Sequence, residues 1–241
     1  MNVYEKKTMG KRIAGNPYVG RGIVIGKTED GKCAAVAYFI MGRSENSRNR
    51  VFALRDGVLF TEPYDVSRVE DPSLIIYAAL RRTDDRLIVT NGDQTDTAYD
   101  GILAGRGFHE TLATREFEPD APNFTPRISG MITFADGDFS YEMSILKSAD
   151  EQGSACNRFA FSYAALAGVG HFIHTYVTDG NPIPTFMGEP ERISVPNCID
   201  AFTADIWDNL HADNRISLYT AYYDIATGKE LAHRMINKNG N

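Results

Sequence analysis

Apolar and polar positions fall into short runs along most of this chain, and the runs come in pairs separated by turn residues. That rhythm predicts antiparallel hairpins. Strands are expected at 19–26 and 33–41 around Glu29-Asp30-Gly31, and at 49–54 and 58–61 around Arg55-Asp56-Gly57. Further pairs are 75–81 with 86–90 around Thr83-Asp84-Asp85, and 127–134 with 139–146 around Asp136-Gly137-Asp138. Residues 157–166 and 171–178 read as apolar strands, and 216–224 with 230–236 close the chain around Ala226-Thr227-Gly228. The run 33–41 is almost wholly apolar, which predicts a strand buried on both faces.

The spacing broadens in two places. Residues 97–105 and 108–116 read as helices, with Thr95 or Asp96 as the N-cap of the first. A proline-rich loop follows at 119–126. At 199–210 the stripe Ile199, Phe202, Ile206, Leu210 marks an amphipathic helix. This order predicts an α+β fold with stacked antiparallel sheets and helices packed outside them. No segment has linker composition, so a single domain is expected.

Composition narrows the partners. The 241 residues carry a net charge of -7, which argues against nucleic acid as a partner, since that binding needs a broad basic face. No apolar run reaches the ~18 residues of a membrane span, and residues 1–17 have no apolar signal core. Cys33, Cys156 and Cys198 are isolated, so neither a zinc site nor a disulfide framework is expected, and they read as mostly buried, reduced thiols of a cytoplasmic protein. His171 and His174 would point to opposite faces of a strand and could not share a metal.

Against the acidic background, the segment Gly42-Arg43-Ser44-Glu45-Asn46-Ser47-Arg48-Asn49-Arg50 stands out. Arginine forks match phosphate oxygens, and Ser and Asn add short donors. A solvated loop is the plain alternative. Asn91-Gly92-Asp93-Gln94-Thr95-Asp96-Thr97 is a polar strand-to-helix junction suited to a turn and cap, or to an anion or polar heterocycle. Arg127, behind Pro126, would be rigidly held, either in a surface ion pair or toward a substrate. Gly20-Arg21-Gly22 with Gly26 has the wrong spacing and context for a dinucleotide fingerprint; Gly20 and Gly22 are expected to allow close backbone approach.

Taken in order, Tyr18-Val19-Gly20-Arg21, Arg43-Ser44 with Asn49-Arg50, Asn91-Gly92 with Thr95-Asp96-Thr97, and Thr125-Pro126-Arg127-Ile128 resemble the archaeal-type IMP cyclohydrolase family. The resemblance is clear from Tyr18 to Arg127 and weaker beyond. It implies a four-layer αββα fold of the N-terminal-nucleophile-hydrolase type over residues 18–241, with 1–17 as an extension. It also implies closure of 5-formamidoimidazole-4-carboxamide ribotide (FAICAR) to inosine monophosphate with loss of water, the last step of de novo purine synthesis. The family members begin near Tyr18, and the arginine segment is longer here, with Arg48 as an addition.

On that resemblance, Tyr18, Arg21, Asn91, Asp93 and Arg127 are the expected catalytic group. Arg21 or Arg127 would stabilise the oxyanion, Tyr18 would move a proton, and Asn91 would meet the carboxamide. Arg43, Ser44, Arg48, Asn49 and Arg50 are the expected phosphate group. No metal or cofactor is called for. The expected partners are a purine ribonucleotide and a formyltransferase that supplies FAICAR, and apolar sheets are compatible with a homo-oligomer. Two other readings stand beside this one. One is a non-catalytic purine-nucleotide binder. The other is an amidohydrolase of the same fold, which would need cleavage ahead of Cys33 or a similar residue to free a nucleophile.

Overall fold

The computed structural model describes residues 2, 4–69 and 76–240. Among them, β1 (Arg21–Lys27) and β2 (Cys33–Met41) form a hairpin at the centre of a six-stranded antiparallel sheet. The chain's second half completes this sheet. Strand β10 (Val169–His174) pairs with β1, β11 (Glu191–Ile193) extends that side, and β12 (Arg215–Asp224) and β13 (Glu230–Asn237) line up beyond β2. The order is β11-β10-β1-β2-β12-β13.

The intervening chain makes a seven-stranded antiparallel meander. Its strands in order are β3 (Arg50–Arg55), β4 (Val58–Pro63), β5 (Tyr77–Arg82), β6 (Arg86–Thr90), β7 (Arg127–Ala135), β8 (Asp138–Ser148) and β9 (Cys156–Ala164). The two sheets stack face to face. Their shared core takes Ile23, Ile25, Val36, Tyr38 and Ile40 from one side and Leu87, Val89, Ile128 and Ile132 from the other.

Strand β2 shows why a nearly continuous apolar run was required. Val36, Tyr38 and Ile40 face the inter-sheet core, while Ala35, Ala37, Phe39 and Met41 face a second core on the other side. That second core is closed by α5 (Ile199–Asn209) and by α1 (Met9–Ile13), which packs on α5. The predicted stripe Ile199, Phe202, Ile206, Leu210 is buried there. A third core, with Ile88 and Met131 under Ala98, Phe108 and Leu112, seats α3 (Gln94–Leu103) and α4 (Phe108–Leu112) on the seven-stranded sheet. Among the described residues, no helix is long and apolar enough to cross a membrane.

Several expectations need correction. Helix α3 starts at Gln94 and not at Thr97, so neither Thr95 nor Asp96 is its cap. The Thr95 hydroxyl is tied to Thr90 at 2.7 Å and to the Gly92 carbonyl, which draws it into the first turn. Asp93 holds the cap position, with no side-chain capping bond. The first strand starts at Arg21, the tenth ends at His174, and α4 stops at Leu112. Short elements at α1, β11 and α2 (Glu45–Arg48) had no periodic signal to announce them. The cysteines are not mostly buried: Cys198 is exposed, and Cys33 and Cys156 are half-buried. Ile75, at the start of one expected strand, lies outside the described residues.

His171 and His174 do take opposite roles. His171 Nδ1 meets the Tyr141 hydroxyl at 2.6 Å, and His174 Nδ1 donates to the Tyr176 carbonyl at 2.7 Å. Burial pushes both imidazoles down to about 4. The folded state therefore prefers them neutral, whereas the unfolded chain binds protons near pH 6.5. Stability is full above that value and declines as pH falls toward 4. Chemical denaturation at pH 7.5 and pH 5 should show a loss of about 2 kcal/mol per histidine at the lower pH, about 4 kcal/mol for the two; equal stability at both would contradict these neutral histidines.

Candidate active site

The polar segments singled out in the sequence gather at one end of the sandwich, where β1 and β3 begin and β2 and β10 end. Gly20 makes this convergence possible. Its φ is +75°, and a Cβ there would stand 2.1 Å from Thr175 Oγ1 and 2.6 Å from the Tyr176 ring. At Gly22 a Cβ would stand 2.2 Å from the Phe39 ring, so both glycines serve close approach as expected. Tyr18 stacks on Tyr176 with ring centroids 5.7 Å apart.

A cavity of about 460 Å³ opens here, lined by Tyr18, Arg21, Arg43, Ser44, Ser47 and Arg50 together with Asp120, Asn123, Thr125, Tyr176 and Ile183. It has the size of a small-ligand site. A larger depression of about 560 Å³ sits elsewhere, between the 56–57 and 83–85 turns and α3, and is poorly suited to an anion. Three aspartates line it, and its Arg82 already donates to the carbonyls of Gly228 and Asp84.

The three arginines of the cavity differ in their partners. Arg21 is buried and its Nη2 donates to Glu118 Oε1 at 2.5 Å, a carboxylate that is itself buried. Burial lowers the Arg21 pKa, but the charge of Glu118 and the neighbouring Tyr77, Tyr176 and Tyr18 outweigh it, and the pKa ends well above the ordinary value. Its Nε is buried without a hydrogen-bond partner among the described residues. Arg43 lies over the Tyr18 ring, 5.2 Å from its centroid, and pairs with Asp179 and the Gly180 carbonyl. Arg50 is only 4% exposed and donates Nε to the Ser47 carbonyl at 2.8 Å. Among the described residues it has no carboxylate within ion-pair distance.

The arginine segment divides. Ser44 caps α2 by accepting the Ser47 N–H at 3.1 Å, and this short turn places Arg43, Ser44, Ser47 and Arg50 on the cavity. Arg48 and Asn49 are not brought to it. Arg48 donates to the Gly42 carbonyl and Asn214 Oδ1, and the Asn49 amide clamps the Asp65 backbone with two 2.7 Å bonds. Both face a separate depression shared with Tyr64, Asp65 and Arg68.

Asn91, Asp93 and Arg127 also lie outside the cavity lining, in a network of their own at the end of the seven-stranded sheet. Arg127 Nη1 donates to Asp93 Oδ1 at 2.6 Å and to Gln94 Oε1 at 2.7 Å. Burial raises the Asp93 pKa, yet the hydrogen bonds and charges of Arg115 and Arg127 hold it below the usual carboxylate range. Asp96 pairs with Arg81 at 2.7 Å on the outside. The Asn91 amide is turned to its neighbours: Nδ2 donates to the Pro126 carbonyl at 2.9 Å, and Oδ1 accepts from Ile128 N at 2.8 Å and from Gln94 Nε2 at 2.9 Å. The network fastens the end of loop 113–126, which carries Asp120 and Thr125 to the cavity and Glu118 to Arg21.

Glu118, Asp120 and Tyr176 were missed from sequence. Glu118-Pro119-Asp120 is a proline-flanked acidic pair in a loop, and Tyr176 follows a strand end; neither has a periodic signal. Asn91→Ala strips three buried partners at once. It should cost about 3 kcal/mol of unfolding free energy by denaturant titration, since each orphaned buried group costs ~1–3 kcal/mol; a loss below about 0.5 kcal/mol would remove Asn91 as a fastener of this loop.

Comparison with known proteins places the chain in a family. The family model described as IMP cyclohydrolase-like protein matches residues 18–229. An IMP cyclohydrolase of Methanopyrus kandleri is 37% identical over 116 residues, 46% of this chain and 57% of that protein. The IMP cyclohydrolase of Methanococcus maripaludis strain S2 is 33% identical over 121 residues, covering 48% and 58%, and that of Methanocaldococcus jannaschii 30% over 117 residues, covering 48% and 56%. The chain thus spans little more than half the length of the curated relatives it matches. With the match of residues 18–229 running through both sheets and the cavity between their ends, the chain belongs to the IMP cyclohydrolase-like protein family.

Proposed function

We propose that this protein is an IMP cyclohydrolase that closes FAICAR to IMP and water. The observation that carries this reading is Arg50: a buried guanidinium on a cavity wall with no carboxylate partner among the described residues. A buried cation without a counter-ion is costly, and an anionic ligand supplies the missing partner. The names of the relatives supply the class of ligand, a purine ribonucleotide monophosphate.

In this reading Arg50, with Ser44 and Ser47, holds the 5'-phosphate at the cavity's outer side. Arg43 and Tyr18 form a stacked platform for the planar base. Arg21 lines the cavity, and its guanidinium is the donor for the oxyanion that develops on the formyl group. Glu118 holds that guanidinium in place. The reaction is intramolecular, so fixing carboxamide and formyl groups in near-attack geometry supplies much of the acceleration. Asn91, Asp93 and Arg127 act on the loop that carries Glu118 and do not meet the substrate.

We read the helix–sheet–sheet–helix order as an N-terminal-nucleophile-hydrolase-like scaffold, with residues 18–241 as one catalytic domain and 1–17 as an extension that packs α1 on α5. The amidohydrolase alternative fares poorly. Cys33 stands at the start of β2, roughly 26 Å from Met41 at the cavity end at ~3.3 Å per residue, and burial pushes its thiol up, away from the reactive thiolate. The substrate bears a formyl group, so a cytoplasmic formyltransferase is the reaction that supplies it.

Arg50→Ala tests the phosphate assignment. It removes a charge-assisted contact of ~1.5–3 kcal/mol, so KM for FAICAR and Kd for IMP should both rise by about 10–100-fold, with a smaller change in kcat. Unchanged IMP affinity by calorimetry would overturn it.

A further inference from the structure

Along one wall of the cavity three side chains form a hydrogen-bonded line whose direction is fixed by valence. Asp120 accepts the Thr125 backbone N–H on Oδ1 at 2.6 Å and the Thr125 hydroxyl on Oδ2. The same hydroxyl lies 2.5 Å from the Tyr176 hydroxyl. An ionised carboxylate has no proton to give, and threonine has one. Thr125 donates that proton to Asp120, so the remaining bond runs from Tyr176 to Thr125. The phenol's only proton therefore points away from the ligand space, and its oxygen offers the cavity a lone pair.

All three residues line the cavity, and Thr125 and Tyr176 are each 2% exposed. Burial raises the Tyr176 pKa well above its usual range, against the opposing charge of Arg21. The phenol stays protonated at neutral pH, which suits a conduit and not a phenolate base.

We propose that Tyr176, Thr125 and Asp120 form a proton relay that takes the proton released by the attacking carboxamide nitrogen and returns it to the departing oxygen. The proposal rests on the ring-closing reaction above. In the first step the nitrogen forms a bond to the formyl carbon, and the carbonyl electron pair moves onto oxygen beside Arg21. The nitrogen's proton passes to Tyr176 Oη as the phenol proton passes to Thr125 and the Thr125 proton to Asp120. In the second step the relay runs back and protonates that oxygen. The lone pair of the former formamido nitrogen expels hydroxide, which takes this nitrogen's remaining proton and leaves as water. Tyr176 is the catalytic member; Thr125 and Asp120 act through it.

Thr125 is the place to test this. Asp120 also ties the tight loop through the Thr125 backbone, where Phe124 has φ +41°, and Thr125→Val leaves that backbone bond intact. FAICAR turnover and IMP binding should be measured for the unmodified protein, Thr125→Val, Thr125→Ser and Tyr176→Phe, with rates in H2O–D2O mixtures. The relay predicts a kcat lower by about 100-fold or more in Thr125→Val and Tyr176→Phe, the scale of general acid–base catalysis. IMP Kd should stay within about threefold, and Thr125→Ser should recover most of the rate, as expected when a positioned hydroxyl is what was lost. The curved, multi-proton dependence on D2O fraction in the unmodified protein should be lost in Thr125→Val. Full kcat in Thr125→Val, or a Thr125→Ser as slow as the valine variant, would overturn the relay while leaving the ring-closing reading intact. No turnover by the unmodified protein would overturn that reading and the relay with it.

Discussion

The buried pair between Arg21 and Glu118 is the contact on which the site depends. One partner opens the central hairpin of the six-stranded sheet, and the other sits in the loop that leads into β7 of the seven-stranded sheet. Their contact ties the ends of both sheets together over the cavity. A buried ion pair is weak evidence for stability, because desolvating two charges offsets much of their attraction, but removing one partner strands the other at a cost of ~3–5 kcal/mol. The pair is better understood as a positioning device. It holds a guanidinium, whose Nε has no partner among the described residues, at one place on the cavity wall.

Around that fixed cation the cavity has two chemical tasks in the proposed reading. The α2 turn brings Arg50, Ser44 and Ser47 to the lining, where the proposed anion would complete the electrostatics. Tyr176, Thr125 and Asp120 also line it, joined by hydrogen bonds in the line proposed above as a proton path. The Asn91–Asp93–Arg127 network stands behind, committed to backbone and to neighbouring side chains. Loop 113–126 is thereby fixed at both of its functional points.

Much of the fold was legible because each core leaves a local trace. Strand β2 reads as one apolar run since its two faces enter different cores, and the α5 stripe reads at helical spacing since it enters one. The start of α3 was misplaced because the Thr95 hydroxyl bonds to Thr90 and Gly92, five and three residues earlier, a local claim that overrides its capping preference. The site was legible only in part. Arg21, Arg43 and Arg50 stand out against an acidic chain, but Arg48, within the same cluster, turns toward Asn214, 166 residues away. Glu118 has its importance through a partner 97 residues earlier, and nothing near it in sequence marks it.

The central claim is that this cavity closes a ring. The most direct measurement is the rate of IMP appearance from FAICAR, followed by absorbance with and without purified protein, over a range of substrate concentrations. The account predicts saturable turnover far above the spontaneous cyclisation. A rate equal to the protein-free control, in a sample that still binds IMP, would contradict it and leave a nucleotide-binding protein in its place.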